Sequence, residues 1–307
     1  MTIASTSTSA FFDRATIDLA SLRAQAEKIQ GQISSGIKLT TSSDDPLAAS
    51  RLRSLSRLEV LGKIDTSAAQ RATVDLNLVD TALNQFANYT IRAQELATQA
   101  ASATLSPTQR ASIGSELAQI HGGLVSLANT RDSAGKALFG GDSPGDAYQL
   151  NTAGSASYIG TGTAGTLSLG DDQGVARSLT GPEFLNFNDP AGNSTDLLAV
   201  MKSLADTLQA GGAGAAAAAG SALGSLANGL DAITTAQTIV GSRLTWIDLS
   251  TERQQAMGEA RTSEQADIGA PDLASSLARL QQLSTVLEAS QSSFARLAGL
   301  SLFDLIR

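Results

Sequence analysis

The fold is decided by residues 12–46, which read FDRATIDLASLRAQAEKIQGQISSGIKLTTSSDDP. Apolar or small residues recur here at alternating steps of three and four, which is the a and d spacing of a heptad repeat. They are Phe12, Ala15, Leu19, Leu22, Ala26, Ile29 and Ile33. The residues between them are mostly polar, so the apolar stripe is narrow and suits a second helix as its partner better than a globular core. We therefore predict a terminal coiled-coil helix.

The boundaries of this helix can also be read from the sequence. Gly36 is expected to end it, because glycine readily takes the left-handed conformation of a helix C-terminus. Asp45 followed by Pro46 matches an N-cap and the first position of a new helix. We predict that this second helix carries its own apolar stripe to about Ala103, which is longer than a usual globular helix.

A third helix begins with a clear signal. Ser106, Pro107 and Gln109 match a capping box with proline in the first turn. Steps of four and three then continue through apolar residues, which are Ile113, Leu117, Ile120, Leu124 and Leu127. We expect this helix to end near Arg131 and to pack antiparallel on the second helix, because the connection between them is short.

The helical periodicity is lost between residue 133 and about residue 193. Gly, Ser, Thr, Asp and Pro are frequent there, and short runs of β-type residues alternate with turn signals. We predict a small β-rich insertion with strands at 148–150, 157–159, 166–169 and 175–179.

Helical signals return in the last third of the chain. A short helix is predicted over 195–209, followed by the link AGGAGAAAAAG at 210–220, where glycine favours a hinge and alanine favours continuation into the next helix. That next helix carries a heptad seam with one polar member, Gln237, among Leu223, Leu226, Leu230, Ile233, Val240, Leu244 and Ile247. A final helix is expected from Pro271 to Gly299.

These elements predict a mainly α fold, a long antiparallel helical rod with terminal coiled-coil helices and a small β-rich insertion. The two outer helices each carry a stripe and have no other cover, so we expect them to lie together. The predicted domains are residues 1–45 with 270–307 as terminal coiled-coil helices, 46–132 with 221–269 as the helical rod, and 133–220 as the variable insertion.

Charge and composition exclude several classes of function. The 307 residues carry a net charge of −8, which argues against nucleic acid as a partner because phosphate binding needs clustered Lys and Arg. The chain has no Cys, so disulfides and thiolate metal sites are excluded. No apolar run approaches the roughly 18 residues of a membrane-spanning helix. The first ten residues lack the features of a secretory signal, so we expect any export to proceed without a cleaved signal peptide.

Few residues could carry out catalysis. His121 is the only histidine, and it lies within a patterned helix. The acidic pair at 44–45 precedes a helix and serves its cap, and the pair at 171–172 lies in a Gly-rich turn. The string at 160–165 matches a dinucleotide motif, but that motif requires a helix after it, and TLSLG predicts a strand. We therefore predict no enzyme activity, no metal site and no cofactor.

The heptad stripes admit two interpretations. They could bury against one another in an ordinary intramolecular bundle, or against neighbouring copies of the chain. Each large side chain contributes about 1.5–3 kcal/mol when fully buried, whereas an isolated helix is marginal. The second interpretation predicts that the terminal arms are mobile in the monomer and order on assembly. A receptor-type signalling coiled coil is a different class, and it would need a membrane anchor.

Four segments resemble the bacterial flagellin family of flagellar axial proteins. They are SSGIKLTTSSDDPLAAS (34–50), LANTRDSAGKALFGG (127–141), VGSRL (240–244) and LEASQSSFARLAGLSLFDLIR (287–307). Two features resemble the hook-associated members more than the flagellins that build the filament. Pro46 follows the paired Asp, and the chain closes with Leu302 and Phe303 where flagellins usually have a double Leu. The match covers both ends of the chain and leaves the middle without a specific counterpart.

The resemblance implies a structural subunit of the bacterial flagellum that joins hook to filament, with a flagellin that forms the filament as the alternative. It implies type III export through the flagellar channel with the help of a chaperone, and an extracellular place in a ring of copies. The neighbours would be another hook-associated protein and flagellin.

The resemblance also assigns the terminal helices to an inner coiled-coil layer, with Phe12–Ile33 lying beside Leu273–Phe294. From the stripes and the resemblance together we predict a subunit interface. It comprises Phe12, Leu19, Leu22, Ile29, Ile33, Leu273, Leu277, Leu280, Leu287, Phe294, Leu302 and Phe303.

Overall fold

The computed structural model describes residues 3–132, 134–170 and 173–304, and side-chain surroundings within these ranges for residues 10–296. Most of these residues are helical. The helices are α1 (Ile3–Ser35), α2 (Pro46–Ala101), α3 (Pro107–Ala128), α4 (Gly181–Leu185), α5 (Leu197–Ala210), α6 (Ala215–Gly269) and α7 (Leu273–Asp304). The prediction of a mainly α fold with long helices is confirmed.

Six short strands lie between α3 and α5 and form three antiparallel pairs. They are β1 (Tyr148–Leu150), β2 (Ala156–Tyr158), β3 (Thr166–Gly170), β4 (Gln173–Ala176), β5 (Asn186–Asn188) and β6 (Ser194–Asp196). Each strand pairs with the next one along the chain, with Gln149 opposite Ser157, Leu167 opposite Val175 and Phe187 opposite Thr195. The four strands predicted from the sequence correspond to β1–β4, so the small β-rich insertion is confirmed.

The chain divides into two compact units. The terminal unit comprises the described residues up to Val60 and from Ala256 onward, and the central unit comprises Leu61–Gln255. Helices α2 and α6 each contribute residues to both units. The domain boundaries that were predicted at 45, 132, 220 and 269 stay a prediction.

The core of the central unit is built around three fully buried phenylalanines. The ring of Phe86 on α2 meets that of Phe184 on α4 edge-on at 5.1 Å between centroids, and Phe139 lies 4.9 Å from Phe184. Edge-to-face pairs of this kind contribute about 0.5–1.5 kcal/mol beyond the area that they bury. The three rings therefore tie the long helix α2 to the segment that carries the insertion.

Helix α3 runs antiparallel to α2, as predicted. The guanidinium of Arg110 donates to the carbonyl of Ala100 at the connected ends of the two helices, at 3.0 Å. Further along, Arg92 donates to Glu116 at 2.7 Å. Residue numbers rise along α3 while those of their partners on α2 fall, so the two helices run antiparallel. The capping box at Ser106 is also present.

Helix α5 lies unusually close to α3. A Cβ added to Gly114 would stand 2.8 Å from the backbone nitrogen of Gln209 and 2.9 Å from the carbonyl oxygen of Ala205. Only glycine permits two helical backbones to approach this closely. The α3–α5 pair therefore depends on a residue whose role cannot be seen in the apolar periodicity.

The heptad seam of α6 lies within the central unit. Leu226, Ile233, Val240 and Ile247 are all buried. The one polar member, Gln237, donates its side-chain amide to Oδ1 of Asn84 on α2 at 3.0 Å. A polar pair on an apolar seam favours one register over its neighbours.

The segment LANTRDSAGKALFGG connects α3 to the insertion through one asparagine. Asn129 stands at the C-terminus of α3. Its Oδ1 accepts from the backbone N–H groups of Ala147 and Tyr148 at 2.9 and 2.8 Å, and its Nδ2 donates to the carbonyl of Tyr148 at 2.9 Å. The side chain thus pairs with β1 as a neighbouring strand would.

A second polar centre in this segment is Asp132, which is buried. Its Oδ1 accepts from the backbone N–H groups of Ala134 and Lys136, each at 2.9 Å, and its Oδ2 accepts from Arg177 at 2.5 Å. Arg177 lies just after β4. The ion pair therefore holds the second hairpin against the turn that follows α3.

Two predicted helix ends are wrong. Helix α3 ends at Ala128 rather than near Arg131, because Asn129 leaves the helical conformation to bind β1. Helix α7 continues through Gly299 to Asp304, since one glycine inside a helix costs only about 1 kcal/mol.

Both alternatives that were predicted for the Ala/Gly link at 210–220 are found, each in a different part of it. Gly211 takes the left-handed conformation with φ of 62° and caps α5, and the alanines from Ala215 onward belong to α6. Helix α4 and the pair β5–β6 were not predicted, because each element is five residues or shorter and shows no periodicity.

The contacts of Asn129 lead to a prediction about stability. Asn129→Ala removes the partners of three backbone groups, and each unsatisfied buried group costs about 1–3 kcal/mol. We expect the free energy of unfolding, measured by urea denaturation, to fall by about 3 kcal/mol. Asn77→Ala, at an exposed position of α2, should change it by less than about 0.5 kcal/mol. Equal effects of the two substitutions would contradict the role assigned to Asn129.

Candidate subunit interface

The terminal unit is organised around the pairing of α1 with α7. The two helices contact each other. The rings of Phe12 and Phe294 meet edge-on, with centroids 5.4 Å apart and planes at 88°. The prediction that the two outer helices lie together is therefore confirmed within a single chain.

The predicted a and d positions of α1 all lie on the inner side of this pair. Phe12, Leu19, Leu22, Ile29 and Ile33 are each half-buried, as are the small residues Ala15 and Ala26 that complete the stripe. The residues between them are mostly exposed. The stripe is thus partly covered by the chain's own α7 and retains an accessible edge.

Helix α7 contributes a matching seam. Leu280, Leu287 and Phe294 are half-buried, and Leu283 is the most enclosed of them, with 4% of its surface exposed. The sequence interpretation missed Leu283. The signal was present, since 276, 280, 283, 287, 290 and 294 follow steps of four and three, but serine occupies two of these positions.

Two predicted interface residues are more exposed than the rest of this seam. Leu273 and Leu277 each have 59% of their surface exposed. On α1, Ile17 is 67% exposed and Phe11 is 52% exposed. Val286 on α7 is also exposed. We call these five residues the outer apolar set, because nothing in the described part of the terminal unit buries them.

Two further predicted interface residues, Leu302 and Phe303, belong to the helical backbone of α7. Their side chains lie outside the described residues. Their place in an interface stays a prediction.

The turn between α1 and α2 is fixed by one carboxylate. Gly36 ends α1 with φ of 69°, as expected. Asp44 accepts from the ammonium of Lys28 at 2.6 Å and from the backbone N–H of Thr41 at 3.1 Å. These two hydrogen bonds hold the pKa of Asp44 well below its usual value. Asp45 caps α2 by accepting from the N–H of Ala48 at 3.0 Å.

The turn is joined to the other end of the terminal unit by backbone and side-chain bonds. The N–H of Lys38 donates to the carbonyl of Gly269 at 2.7 Å. Arg51 on α2 donates twice to Glu264 on α6, at 2.6 and 2.8 Å, and this hydrogen bonding lowers the pKa of Glu264. The pair is exposed to solvent, so it orients the helices more than it stabilises them.

The candidates for catalysis have structural surroundings. His121 is buried between helices, its Nε2 has no partner among the described residues, and burial lowers its pKa. The Gly-rich string at 160–165 is followed by β3 and not by a helix, so the dinucleotide interpretation is rejected. Asp171 and Asp172 lie outside the described residues.

The described part of the chain offers no candidate for two other kinds of site. No group of three or more His, Cys, Asp or Glu side chains is placed to hold a metal ion there. No described helix has the length and apolar character needed to cross a membrane.

Comparison with known proteins agrees with the helical architecture of the N-terminal part of the chain. The model of the bacterial flagellin N-terminal helical region matches residues 6–143. Flagellar hook-associated protein 3 of Escherichia coli strain K12 is 28% identical over 304 residues, covering 92% of this chain and 93% of that protein. The resemblance of this chain to hook-associated proteins of the bacterial flagellin family is therefore confirmed.

Two solved structures share the fold of this chain. One is described as a flagellar hook-associated protein from Vibrio parahaemolyticus, with a TM-score of 0.67 and 18% identity, over 74% of this chain and all of that one. The other is the flagellar junction protein FlgL from Legionella pneumophila, with a TM-score of 0.59 and 14% identity, over 71% of this chain and 99% of that one.

The contrast between Leu283 and Leu277 leads to a prediction. Leu283→Ala leaves a cavity between α1 and α7 and should cost about 2–5 kcal/mol, so the helix pair melts earlier. Leu277→Ala is the matched control, because it removes the same atoms from an exposed position. Helical circular dichroism of the purified chain during thermal melting should show early loss of signal only for Leu283→Ala. Identical melting curves for the two variants would contradict the assigned pairing.

Proposed function

We propose that this chain is a structural subunit of the bacterial flagellum that joins the hook to the filament through self-assembly of its terminal helices. The observation that carries the proposal is the outer apolar set on α1 and α7. The names of relatives support it, since one is a flagellar hook-associated protein that matches nearly full length and one is called a flagellar junction protein.

The physical basis is incomplete burial within one chain. The α1–α7 pair covers one side of each helix, while Ile17, Leu273 and Leu277 keep more than half of their surface in water. Full burial of a large aliphatic side chain contributes about 1.5–3 kcal/mol. Neighbouring copies that cover the outer apolar set would therefore gain a substantial driving force for association.

The residues of the predicted interface then have two different roles. Phe12, Leu22 and Phe294 pair α1 with α7 inside one chain and present a half-buried edge. Leu273 and Leu277 face outward and contact the next copy. Leu302 and Phe303 extend the same helix. The partners are other copies of the chain in a ring, a second hook-associated protein, flagellin, and an export chaperone.

The proposed layers follow the predicted domains. Residues 1–45 and 270–307 form the inner coiled-coil core, 46–132 with 221–269 form the helical rod, and 133–220 form the variable insertion. The chain functions outside the cell after export without a cleaved signal peptide. The terminal helices order fully only when the subunit is assembled, because a two-helix pair has a small core.

The proposed role requires no catalysis, metal or cofactor. The relatives favour a junction subunit over a flagellin that forms the filament itself, since the nearly full-length relative carries the name of a hook-associated protein. The two roles differ in a deletion strain. Loss of a junction subunit leaves intact hooks without filaments and releases flagellin monomers into the medium.

The outer apolar set provides the test. Ile17→Asp or Leu277→Asp places a charge where a neighbour must pack, so we expect either variant to fail to restore filaments to a strain that lacks the chain. Gln30→Asp is the matched control on an exposed position of α1, and it should restore filaments fully. Electron microscopy of hooks and filaments is the measurement.

Circular dichroism of each purified variant checks that its helices are retained. Normal filaments with Ile17→Asp and with Leu277→Asp would overturn the proposed interface. Shortened or thinned filaments in the deletion strain, in place of bare hooks, would overturn the junction role and leave a filament subunit.

A further inference from the structure

Helix α2 exposes an apolar stripe within the central unit. Ile64, Val74 and Leu78 have 55%, 51% and 36% of their surface exposed. Ser67 and Arg71 occupy the positions between them, so that the five residues follow alternating steps of three and four. We call these residues the α2 stripe. Its spacing is that of a seam that receives another helix.

Helix α6 exposes a second stripe in the same unit. Ile239, Trp246 and Leu249 have 41%, 43% and 55% of their surface exposed, and Ser242 lies between them at heptad spacing. We call these four residues the α6 stripe. The α6 stripe and the buried seam at Val240 and Ile247 occupy different sides of the helix. Positions 239 and 246 directly precede the two buried residues, and positions 242 and 249 follow them by two.

A cavity of 480 Å³ lies beside the α2 stripe. Val74 and Leu167 form apolar parts of its wall, and Arg71 and Arg177 contribute guanidinium groups. Asp75 also lines it, and burial raises the pKa of this carboxyl while Arg177 opposes the shift. The cavity is large enough for one aromatic side chain. Guanidinium groups at its wall suit an indole, because they stack on the faces of aromatic rings.

Arg71 within the α2 stripe and the acidic residues Asp248 and Glu252 beside the α6 stripe carry opposite charges. Arg71 is exposed and has no ion-pair partner among the residues that the structure describes. Asp248 and Glu252 are exposed beside the α6 stripe, and within the same described ranges neither has an ion-pair partner. Complementary charges at the edges of apolar seams select the partner and its orientation.

We propose that the α2 stripe and its cavity receive the α6 stripe of a second copy of this chain, with Trp246 entering the cavity as the anchor. This inference rests on the proposed function, since it requires that copies assemble. It adds a second interface, in the central unit, to the one on the terminal helices. Tryptophan that fills a pocket is a frequent source of binding energy at interfaces.

The contact is head-to-tail, because the two surfaces differ. Each copy offers its α2 stripe to one neighbour and its α6 stripe to another, and contacts of this type build rings or helical arrays. A twofold contact between two α2 stripes would place Arg71 against Arg71. Two α6 stripes in contact would likewise oppose their acidic residues.

The experiment uses the absence of Cys from the chain. Ser67→Cys places one thiol on the α2 stripe, and Ser242→Cys places one on the α6 stripe. Both serines are exposed. The two purified single variants are mixed in ammonium sulfate, which strengthens apolar burial, and treated with a short bis-maleimide. We expect a cross-linked species of two chains from the mixture and only monomers from either variant alone.

Three further variants serve as controls for the cross-linking experiment. Ser115→Cys is exposed on α3 and should give no product with Ser67→Cys. Adding Val74→Glu to the Ser67→Cys chain, or Trp246→Glu to the Ser242→Cys chain, should reduce the product of the mixture at least tenfold. Circular dichroism confirms that both substituted chains retain their helices.

The result that overturns the inference is a mixture without product, or product from Ser242→Cys alone, which would mean a twofold contact. Ile17→Cys separates this failure from failure of the proposed function. If Ile17→Cys cross-links to itself or to Leu277→Cys while the stripe variants do not, then the copies assemble through their terminal helices only. If none of the variants forms product, both proposals fail.

Discussion

The apolar seam between α1 and α7 is the contact on which the rest of the terminal unit depends. It joins two helices from opposite ends of the chain, and it does so with residues that stay half-buried, such as Phe12 and Leu22. Only Leu283 is nearly enclosed among the described residues of α7. Two helices have a small core relative to their surface, so the pair gains most of its possible apolar burial only when further helices cover it. We therefore propose that partial pairing within the chain is followed by further burial between chains, an arrangement that combines the two interpretations that the sequence left open.

The central unit differs because it completes its own core. Phe86, Phe139 and Phe184 are fully buried, and their rings contact one another edge-on or tilted. Asn129 and Arg177 supply hydrogen bonds where the β hairpins leave the helices. The segment around Asn129 resembles the flagellin family, and its polar residues connect helices to the insertion. Stable packing in this unit provides support for the surfaces that we propose contact neighbouring copies.

Most of the helical architecture could be predicted because local chemistry determines it. The stop at Gly36, the cap at Asp45 and the capping box at Ser106 are each set by a few adjacent residues. The features that were missed depend on distant partners. Asn129 ends α3 early in order to bind β1, and Gly114 is needed because α5 lies against it. In the interface, the a and d positions of α1 were identified correctly as one face. Leu283 was overlooked because serines interrupt its seam, and the outward position of Leu277 could not be derived from spacing alone.

Hydrogen exchange of the backbone amides, followed by mass spectrometry, tests the central claim most directly. The account predicts that amides of α1 and α7 exchange readily in the free chain and at least a hundredfold more slowly once copies have assembled, because local opening of a marginal helix pair is suppressed by burial. Amides of α3 and α5 should be protected to the same extent in both states. If α1 and α7 in the free chain are already as protected as α3, then the terminal helices are complete without neighbours, and the account is contradicted.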